Sequence, residues 1–439
     1  MSKNMIYDVI IIGGGAAGLA AAGFSTERGL NTLIIEKNSR PARKVLITGK
    51  GRCNVTNNCD VQTLISSVTK NNRFLYSAFY GFNSADTMEL FESLGVPLKT
   101  ERGNRVFPVS DKASDIVDAL CGFAKKAKII NAAALDLIIE KGRVTGVKTD
   151  VGDFFGQNVL VAAGGLSYPL TGSTGDGYKL AEKAGHKIVA PTPSLVPVET
   201  EESFCKKAMG LSLKNVRAEV EDTVKQKIVF SESGEMLFTH FGLSGPLVLS
   251  GSAHMRPFEK DRFKIHIDLK PALDIKKLEK RIERDFSENL NRDFANSLSA
   301  LLPRKLIPIV VVLSGILADK KVNQITASER KSLAELLKNL TLTVKKLRPI
   351  EEAIITSGGV DVKEIDPKTM QSKLCRGLFF AGEVLDVDAY TGGFNLQIAF
   401  STAARAAEGF EKAQKKTRHV KRHKLYYALK ATVARPPIV

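Results

Sequence analysis

Two short apolar runs near the amino terminus have the composition of buried strands. Residues 8–12 read Asp-Val-Ile-Ile-Ile and residues 31–36 read Asn-Thr-Leu-Ile-Ile-Glu, with a segment rich in alanine and glycine between them. The first run is too short for a helix and stops at Gly13, and small residues that suit a closely packed helix follow it. The pattern therefore predicts a strand, a helix and a second strand of a parallel sheet.

Helical and extended patterns alternate through the first half of the chain. Apolar residues recur at helical spacing in residues 84–95 and 111–126, and residues 135–149 have the pattern of a hairpin that turns at a Lys-Gly pair. Residues 158–163 are largely apolar, as in a strand that is buried on both faces. We expect this strand in the central parallel sheet, beside the first one.

The carboxyl-terminal part returns to the same layout. Residues 377–383 have the pattern of a buried strand that ends in glycine and Glu383, and residues 396–409 form an alanine-rich helical pattern. Gly392 and Gly393 precede this helix. Its amino terminus is therefore expected to point at a ligand and to stabilise negative charge there.

The middle of the chain has a different character. Residues 191–197 carry three prolines and predict a boundary rich in turns. Short strand patterns follow between residues 213 and 269, whereas residues 271–347 have helical spacing. We expect an α/β domain formed by residues 1–190 and 351–411, a β domain formed by 191–270 and 341–350, a helical insert at 271–340 and a basic tail at 412–439.

Glycines mark the turn after the first strand. Gly13, Gly15 and Gly18 have the G-x-G-x-x-G spacing, in which the first permits a tight turn, the second leaves room for a phosphate and the third lets helix and strand approach. Glu36 ends the second strand, where a carboxylate accepts hydrogen bonds from ribose hydroxyls and repels a 2′-phosphate. A glycine-rich turn without a ligand is the alternative. The context favours a dinucleotide site that does not hold the adenosine of NADP.

A glycine-broken segment, residues 41–57, follows the second strand. It carries Arg52, Asn54, Thr56 and Asn57 close together, and such side chains suit a polar ring edge or phosphates. An ordinary surface turn is the alternative. The neighbouring cysteines have neither redox nor metal-binding spacing, so we assign them no chemistry and predict no metal site.

Two other motifs imitate known sites. Residues 164–185 contain three spaced glycines, but no strand leads directly into them, so a second dinucleotide fold is not expected. Residues 242–246 resemble a nucleophile elbow, but Pro246 stands where that motif has glycine. His240 lies just before this motif, and we weigh contact with a substrate equally against a structural role.

The net charge of +17 raises the question of an anionic partner. Nine Lys and Arg and no acidic residue lie in residues 412–439, so about half of the excess belongs to the tail. A solvated extension is the commoner explanation, and contact with nucleic acid or an anionic surface is the alternative. No apolar stretch reaches the length of a membrane span, and an odd number of cysteines suggests a reducing compartment. We therefore expect a cytoplasmic protein.

Together these motifs resemble a family of FAD flavoproteins that includes the bile-acid 3-oxo-Δ4,6-reductase and aminoacetone oxidase. The resemblance rests on residues 8–18, 48–54, 164–169, 174–178, 238–246, 377–386 and 390–395. It implies a Rossmann-like FAD-binding domain of the glutathione-reductase type, with an inserted β domain and a helical subdomain. The cofactor-binding residues that we expect are Gly13, Gly15, Ala16, Ala17, Gly18, Glu36, Lys37, Lys44, Gly51, Arg52, Cys53, Asn54, Ala163, Gly164, Gly165, Gly382, Glu383, Gly392, Gly393, Phe394 and Asn395.

The resemblance also implies a reaction on a small-molecule substrate. We expect reduction of a C=C bond conjugated to a carbonyl, as in a 3-oxo-Δ4 steroid, with NADH or NADPH as a transient electron donor. Tyr168, His240 and Tyr390 are the candidate catalytic residues. One alternative is an amine oxidase that produces hydrogen peroxide. Another is a nucleic-acid-associated flavoprotein that uses the basic tail.

Overall fold

A seven-stranded sheet forms the centre of the computed structural model, which describes residues 6–288 and 290–412. From one edge to the other its strands are Lys128–Asn131, Thr32–Glu36, Ile6–Ile12, Gly152–Val161, Arg143–Thr149 and Ala134–Glu140, and Leu378–Phe380 also pairs with Gly152–Val161. The first four and Leu378–Phe380 are parallel, and the hairpin is antiparallel. The predicted α/β class is confirmed.

The helices that pack on this sheet have small or apolar faces. Helix Ala16–Glu27 follows the first strand, as the pattern predicts, and alanine, glycine and leucine fill most of its buried positions. Helix Ala113–Phe123 buries the apolar stripe that its spacing predicts, which consists of Ala113, Ile116, Val117, Leu120 and Phe123. The other α-helices that lie outside the barrel region of the chain are Arg43–Ile47, Val61–Ser66, Tyr76–Gly81, Ser84–Ser93, Asp176–Lys183 and Phe394–Gly409.

A closed barrel lies in the middle of the chain. Its strands, in order of pairing, are Val198–Thr200, Gly242–Ser244, Lys227–Phe238, Ser212–Asp222, Phe263–Asp268 and Leu340–Leu347. Helix Pro246–Ser252 and helices Ile275–Ser287, Phe294–Ser297, Ile307–Ser314 and Ala327–Lys338 interrupt the strands. A second apolar core joins the barrel to these helices. The elements fall in the ranges expected for a β domain and a helical insert, and the division into domains stays a prediction.

The boundary segment with three prolines is not a series of turns. Ile188–Ser194 is a strand that pairs with Ile355–Val360 in a two-stranded antiparallel sheet. A register shift lies between Val189 and Thr192, and prolines are tolerated because the sheet has only edge strands. The expectation of turns was therefore wrong. The segment that leads into the barrel and the segment that leaves it pair with each other.

Two small sheets complete the fold. Thr56–Asn57, Arg105–Pro108 and Leu98–Glu101 form one, and Val68–Lys70 pairs with Asp388–Ala389 in the other. Among the described helices, none combines the length and the hydrophobicity that crossing a membrane requires. The predictions for the basic tail concern residues that, except for Lys412, lie outside the described ranges.

Candidate functional site

A cavity opens where the parallel strands end. Strands Ile6–Ile12, Thr32–Glu36, Gly152–Val161 and Leu378–Phe380 run in one direction, so their carboxyl ends meet at one edge of the sheet. Twelve of the expected cofactor residues line this cavity: Gly13, Gly15, Ala16, Ala17, Glu36, Lys37, Lys44, Ala163, Gly164, Gly382, Glu383 and Asn395. Residues from both ends of the chain therefore share one cavity.

The glycine turn forms an open cradle at this edge. Gly13 has φ +100°, and a Cβ there would lie 2.6 Å from the Ala162 carbonyl oxygen. A Cβ on Gly18 would overlap the Gly13 carbonyl, which shows how closely helix and strand approach. Gly15 differs, because a Cβ there would have no other group within 4 Å. No side chain caps the helix that begins at Ala16, so its amino terminus is available to an anion.

Glu36 is held at the end of the second strand. Its Oε2 accepts a hydrogen bond from the Gly14 amide at 2.7 Å, and its Oε1 accepts from the Asn38 amide at 2.7 Å. The side chain of Asn38 reaches on to the Thr171 carbonyl at 3.2 Å. These contacts fix a buried carboxylate beside the glycine cradle, which is the position that a ribose hydroxyl would need.

A charged network forms another part of the wall. Lys44 Nζ lies 2.7 Å from Glu383 Oε2 and 2.6 Å from Ser167 Oγ. Glu383 Oε1 accepts hydrogen bonds from Ser167 Oγ at 2.8 Å and from the Thr356 amide at 2.9 Å. Lys37 pairs with Asp176 at 2.6 Å across the cavity wall. Glu383 is thus a carboxylate with a fixed orientation, and Lys44 balances its charge.

The glycine-broken segment lines the cavity through its first part, which includes Lys44 and Thr48, but not through its second part. Gly51, Arg52, Cys53 and Asn54 do not line the cavity. Arg52 contacts Glu101 and Asp111, and its guanidinium lies 4.1 Å from the centre of the Phe107 ring. Burial raises the pKa of Cys53 to about 12, so this thiol is not reactive.

One buried atom in this segment lacks a partner among the described residues. Asn54 Oδ1 is buried and accepts no hydrogen bond from that part of the chain, which is costly unless a ligand or water supplies one. The orphaned oxygen and the open cradle at Gly15 both fit a bound dinucleotide. A role for Asn54 at the cofactor therefore stays a prediction that the geometry allows.

The second helix amino terminus lies close to the same cavity. Gly165, Gly392, Gly393 and Phe394 are, like Gly18, not part of the wall. Helix Phe394–Gly409 begins after Gly393, which has φ +98° and packs against the Thr56 backbone. The Asn395 side chain accepts from the Ala389 amide at 2.9 Å and donates to the Ala389 carbonyl at 2.8 Å. The preceding loop is therefore tied to the helix that it enters.

The three candidate catalytic residues have different surroundings. Tyr168 is half-buried, its pKa is raised by burial, and Lys44 Nζ lies 5.9 Å from the centre of its ring. His240 is exposed and contacts the ring of Phe241. The Tyr390 hydroxyl shares a 2.7 Å hydrogen bond with His254 Nε2. The structure thus joins Tyr390 to a histidine that sequence reasoning missed, because no local motif surrounds His254.

A buried ion pair lies next to this hydrogen bond in the sequence. It joins Arg256, two residues after His254, to Asp388, two residues before Tyr390. Arg256 Nη2 is 2.7 Å from Asp388 Oδ2, and Asp388 also accepts hydrogen bonds from Ser194 at 2.7 Å and Ser357 at 2.9 Å. Burial alone would raise the pKa of Asp388, but the charge and hydrogen bonds of Arg256 keep it below its ordinary value. This pair fixes the segment of Tyr390 against that of His254.

Replacing Asp388 with alanine should therefore destabilise the fold by about 3–5 kcal/mol, because Arg256 would lose its buried partner. Urea unfolding followed by circular dichroism measures this change. Glu335→Ala, which breaks the exposed pair with Lys331, is the control and should cost about 0.5 kcal/mol or less. Because the pKa of Asp388 is depressed, its stabilisation is present above the ordinary carboxyl pKa and is lost as the pH falls through the folded-state pKa. Equal costs for the two variants would contradict this assignment.

A serine, a histidine and a carboxylate also come together elsewhere. His186 lies 3.0 Å from Glu364 Oε2 and 2.8 Å from Ser372 Oγ. However, His186 and Ser372 are buried, and Ser372 Oγ accepts hydrogen bonds from the amides of Leu374 and Cys375. The arrangement holds a loop and is not a nucleophilic site. The described residues contain no group of three or more His, Cys, Asp or Glu that could hold a metal ion.

A parallel sheet with a glycine cradle, a carboxylate after the second strand and a second helix amino terminus at one cavity defines an FAD-binding oxidoreductase. Residues 7–409 match the family described as HI0933-like protein Rossmann domain, and the chain belongs to that family. The resemblance to FAD flavoproteins is therefore confirmed. The protein is an FAD-dependent oxidoreductase.

Three characterised relatives are similar over nearly their whole length. The 3-dehydro-bile acid delta(4,6)-reductase of Clostridium scindens is 29% identical, with 90% of this chain and 98% of the relative aligned. The ribosomal RNA dihydrouridine synthase of Escherichia coli is 31% identical, covering 92% and 97%. The enzyme of the same name from Haemophilus influenzae is 32% identical, covering 91% and 97%.

Proposed function

We propose that this oxidoreductase reduces a C=C bond that is conjugated to a carbonyl. The proposal rests on the reactions for which two kinds of relative are named, because both reactions saturate a C=C bond next to a carbonyl. A 3-oxo steroid with a Δ4 bond is an enone, and the C5=C6 bond of uracil is conjugated to the C4 carbonyl. Saturating either bond adds a hydride to the β carbon and a proton to the α carbon. One active site can therefore account for both activities.

The cavity supplies the groups that FAD needs. Gly13, Gly15 and Gly18 would receive the pyrophosphate, Glu36 the adenosine ribose and Glu383 the ribityl chain. The helix amino terminus after Gly393 would lie beside the isoalloxazine, where it would favour negative charge. The family resemblance implies these roles, and the positions of Gly13, Gly15, Glu36 and Glu383 around one cavity support them.

We propose Tyr390 as the proton donor, because its hydroxyl is hydrogen-bonded to His254. FAD bound in this cavity would supply the hydride that the substrate's β carbon needs. The Tyr390 phenol then donates its proton to the α carbon, while the hydrogen bond from His254 stabilises the negative charge left on the phenol oxygen. Among the residues that the structure describes, the side chains of Tyr168 and His240 have no comparable hydrogen-bonded partner, so they are weaker candidates.

A nicotinamide is the proposed source of electrons. The described residues contain one dinucleotide-binding sheet, so NADH or NADPH would visit the flavin transiently and the substrate would follow in the same space. Ping-pong kinetics are expected, because the first product leaves before the second substrate binds.

Uracil in RNA is the substrate class that we favour over a steroid enone. Two relatives that are 31% and 32% identical are named for an RNA product, against one at 29% for a bile acid. The net charge of +17 favours binding of a polyanion such as RNA, whereas binding of an uncharged steroid would gain little from it. Cytoplasmic residence agrees with this substrate and stays a prediction.

An anaerobic half-reaction tests the proposal. Flavin that has been reduced by NADH or NADPH is mixed with ribosomal RNA lacking dihydrouridine, with a 3-oxo-Δ4 steroid or with buffer, and its absorbance is followed. We expect reoxidation at least 100-fold faster with RNA than with buffer, together with newly formed dihydrouridine in the RNA. Rapid reoxidation by the steroid alone would retain the reaction but change the substrate. Bleaching of oxidised flavin by a primary amine, with peroxide formed in air and no response to nicotinamides, would identify an amine oxidase instead.

A further inference from the structure

Six cations gather on the face shared by the barrel and the helices around it. They are Lys206, Lys207, Lys214, Lys270, Arg304 and Lys305, which we call the basic patch. Lys270 is partly buried, and the other five are exposed. None of them belongs to the FAD cavity.

Contacts in the structure bring these residues together from separate parts of the chain. Lys305 Nζ donates a 2.8 Å hydrogen bond to the Met209 carbonyl, which places it beside the segment that carries Lys206 and Lys207. Lys214 and Lys270 line one groove together with Pro303, the residue before Arg304. The basic patch is therefore one surface built from three stretches of sequence.

The charges of the basic patch are not neutralised. Within the part of the chain that the structure describes, no acidic oxygen lies within 4 Å of any of its side-chain nitrogens, whereas many other cations of the protein are paired, such as Arg262 with Asp222 at 2.9 Å. The nearby Asp268 is already occupied by Lys338. Burial and the charge of Arg281 lower the pKa of Lys270, as expected in a positive environment. Such a surface attracts a polyanion.

We propose that the basic patch binds the phosphate backbone of the substrate RNA. This inference rests on the proposed reduction of uracil in RNA, and it explains how a flavoenzyme distinguishes a base in RNA from a free nucleoside. Phosphate contacts position a nucleic acid without reading its sequence, and unpaired Lys and Arg are the groups that make them.

The location of the patch also gives His240 a role. The Gly210 amide donates to the Phe238 carbonyl at 2.9 Å, so the segment of Lys206 and Lys207 lies beside the strand end that leads to His240. His240 is exposed, and the Arg348 guanidinium lies 4.8 Å from the centre of the Phe241 ring. Aromatic rings and guanidinium groups are the surfaces on which unpaired RNA bases stack. RNA that follows the patch would reach these residues next.

The test compares two charge-matched double variants of the full-length holoenzyme. Lys206→Glu with Lys207→Glu alters the patch, whereas Lys125→Glu with Lys126→Glu alters an exposed, unpaired lysine pair on the FAD-binding part by the same net charge. Affinity for ribosomal RNA transcribed in vitro is measured by filter binding between 50 and 300 mM KCl. For the patch variant we expect at least tenfold weaker binding at about 150 mM salt. The slope of log affinity against log salt concentration should also fall by the equivalent of about two phosphate contacts. The control should change less than about threefold.

Two further measurements separate this proposal from its alternatives. Reoxidation of the reduced flavin by free uridine at high concentration should be equal in both variants and the wild type, because the patch does not touch the reacting atoms. No reoxidation by any uracil compound, even in the wild type, would remove the proposed function itself. Equal weakening of RNA binding by the two variants would show that only net charge matters and would overturn the patch. Loss of binding to phosphatidylglycerol vesicles with unchanged RNA affinity would overturn it in favour of a membrane surface.

Discussion

Replacing Gly15 with valine is expected to yield a folded protein without FAD. Gly15 has extended backbone angles, φ −80° and ψ −167°, that valine also adopts, and a Cβ there meets no protein atom within 4 Å. The substitution therefore should not strain the chain. Its side chain would occupy the space in front of the uncapped helix amino terminus, where the pyrophosphate belongs. We expect loss of the flavin absorption band and of all activity.

The control must separate loss of the cofactor from loss of the fold. Gly122 is also free of contacts at its Cβ position, and it is an exposed position of helix Ala113–Phe123 that does not line the cavity. Gly122→Val should therefore keep its flavin. Both variants should retain the far-ultraviolet circular dichroism of the wild type. A Gly15→Val protein that purifies with one flavin per chain would show that the cradle does not hold the pyrophosphate.

The glycine cradle could be predicted because its parts are close in sequence. The strand, the turn, the helix and Glu36 lie within thirty residues, so local hydrophobic patterns and glycine spacing determine most of their arrangement. The second half of strand Gly152–Val161, from Asn158, was also predictable, since burial on both faces leaves a nearly continuous apolar run, whereas its partly exposed first half carries no such pattern. Patterns of this kind report on local geometry and on which faces are buried.

Contacts between distant segments could not be predicted in the same way. Tyr390 and His254 are 136 residues apart, and no periodicity marks either one. The pairing of Ile188–Ser194 with Ile355–Val360 overrides the turn preference of its prolines through backbone hydrogen bonds that only the folded chain provides. The position of Arg52 depends likewise on Glu101 and Asp111, whose approach no motif records. Sequence reasoning therefore identified residues that share one cavity but missed the partner of the proposed proton donor, Tyr390.

Replacing Tyr390 with phenylalanine is expected to slow substrate reduction by about 100-fold while flavin binding stays normal. The change removes one oxygen, and with it the proton donor and the 2.7 Å hydrogen bond to His254, but it keeps the ring. Reduction of the flavin by a nicotinamide needs no proton from Tyr390, so that half-reaction should be unaffected. Stopped-flow absorbance of each half-reaction measures the two rates separately.

The pH dependence gives an independent test of the same role. Burial raises the pKa of Tyr390, with a smaller contribution from the charge of Glu232, so the phenol should still be protonated where an ordinary tyrosine begins to ionise. Burial and the nearby Arg256 lower the pKa of His254, which is therefore neutral at pH 7 and above. Reoxidation by the substrate should then be independent of pH from about 7 to about 10 in the wild type.

The matched control for this role is Tyr168→Phe, which removes the hydroxyl of the other half-buried candidate tyrosine. It should change the reoxidation rate less than about threefold, because the Tyr168 hydroxyl has no partner comparable to His254. His254→Phe should lower the rate of a Tyr390-containing enzyme but add little in the Tyr390→Phe background, as expected for a residue that acts through Tyr390. If the Tyr168 variant were the slow one, or if the His254 and Tyr390 effects multiplied independently, the proton would come from another group.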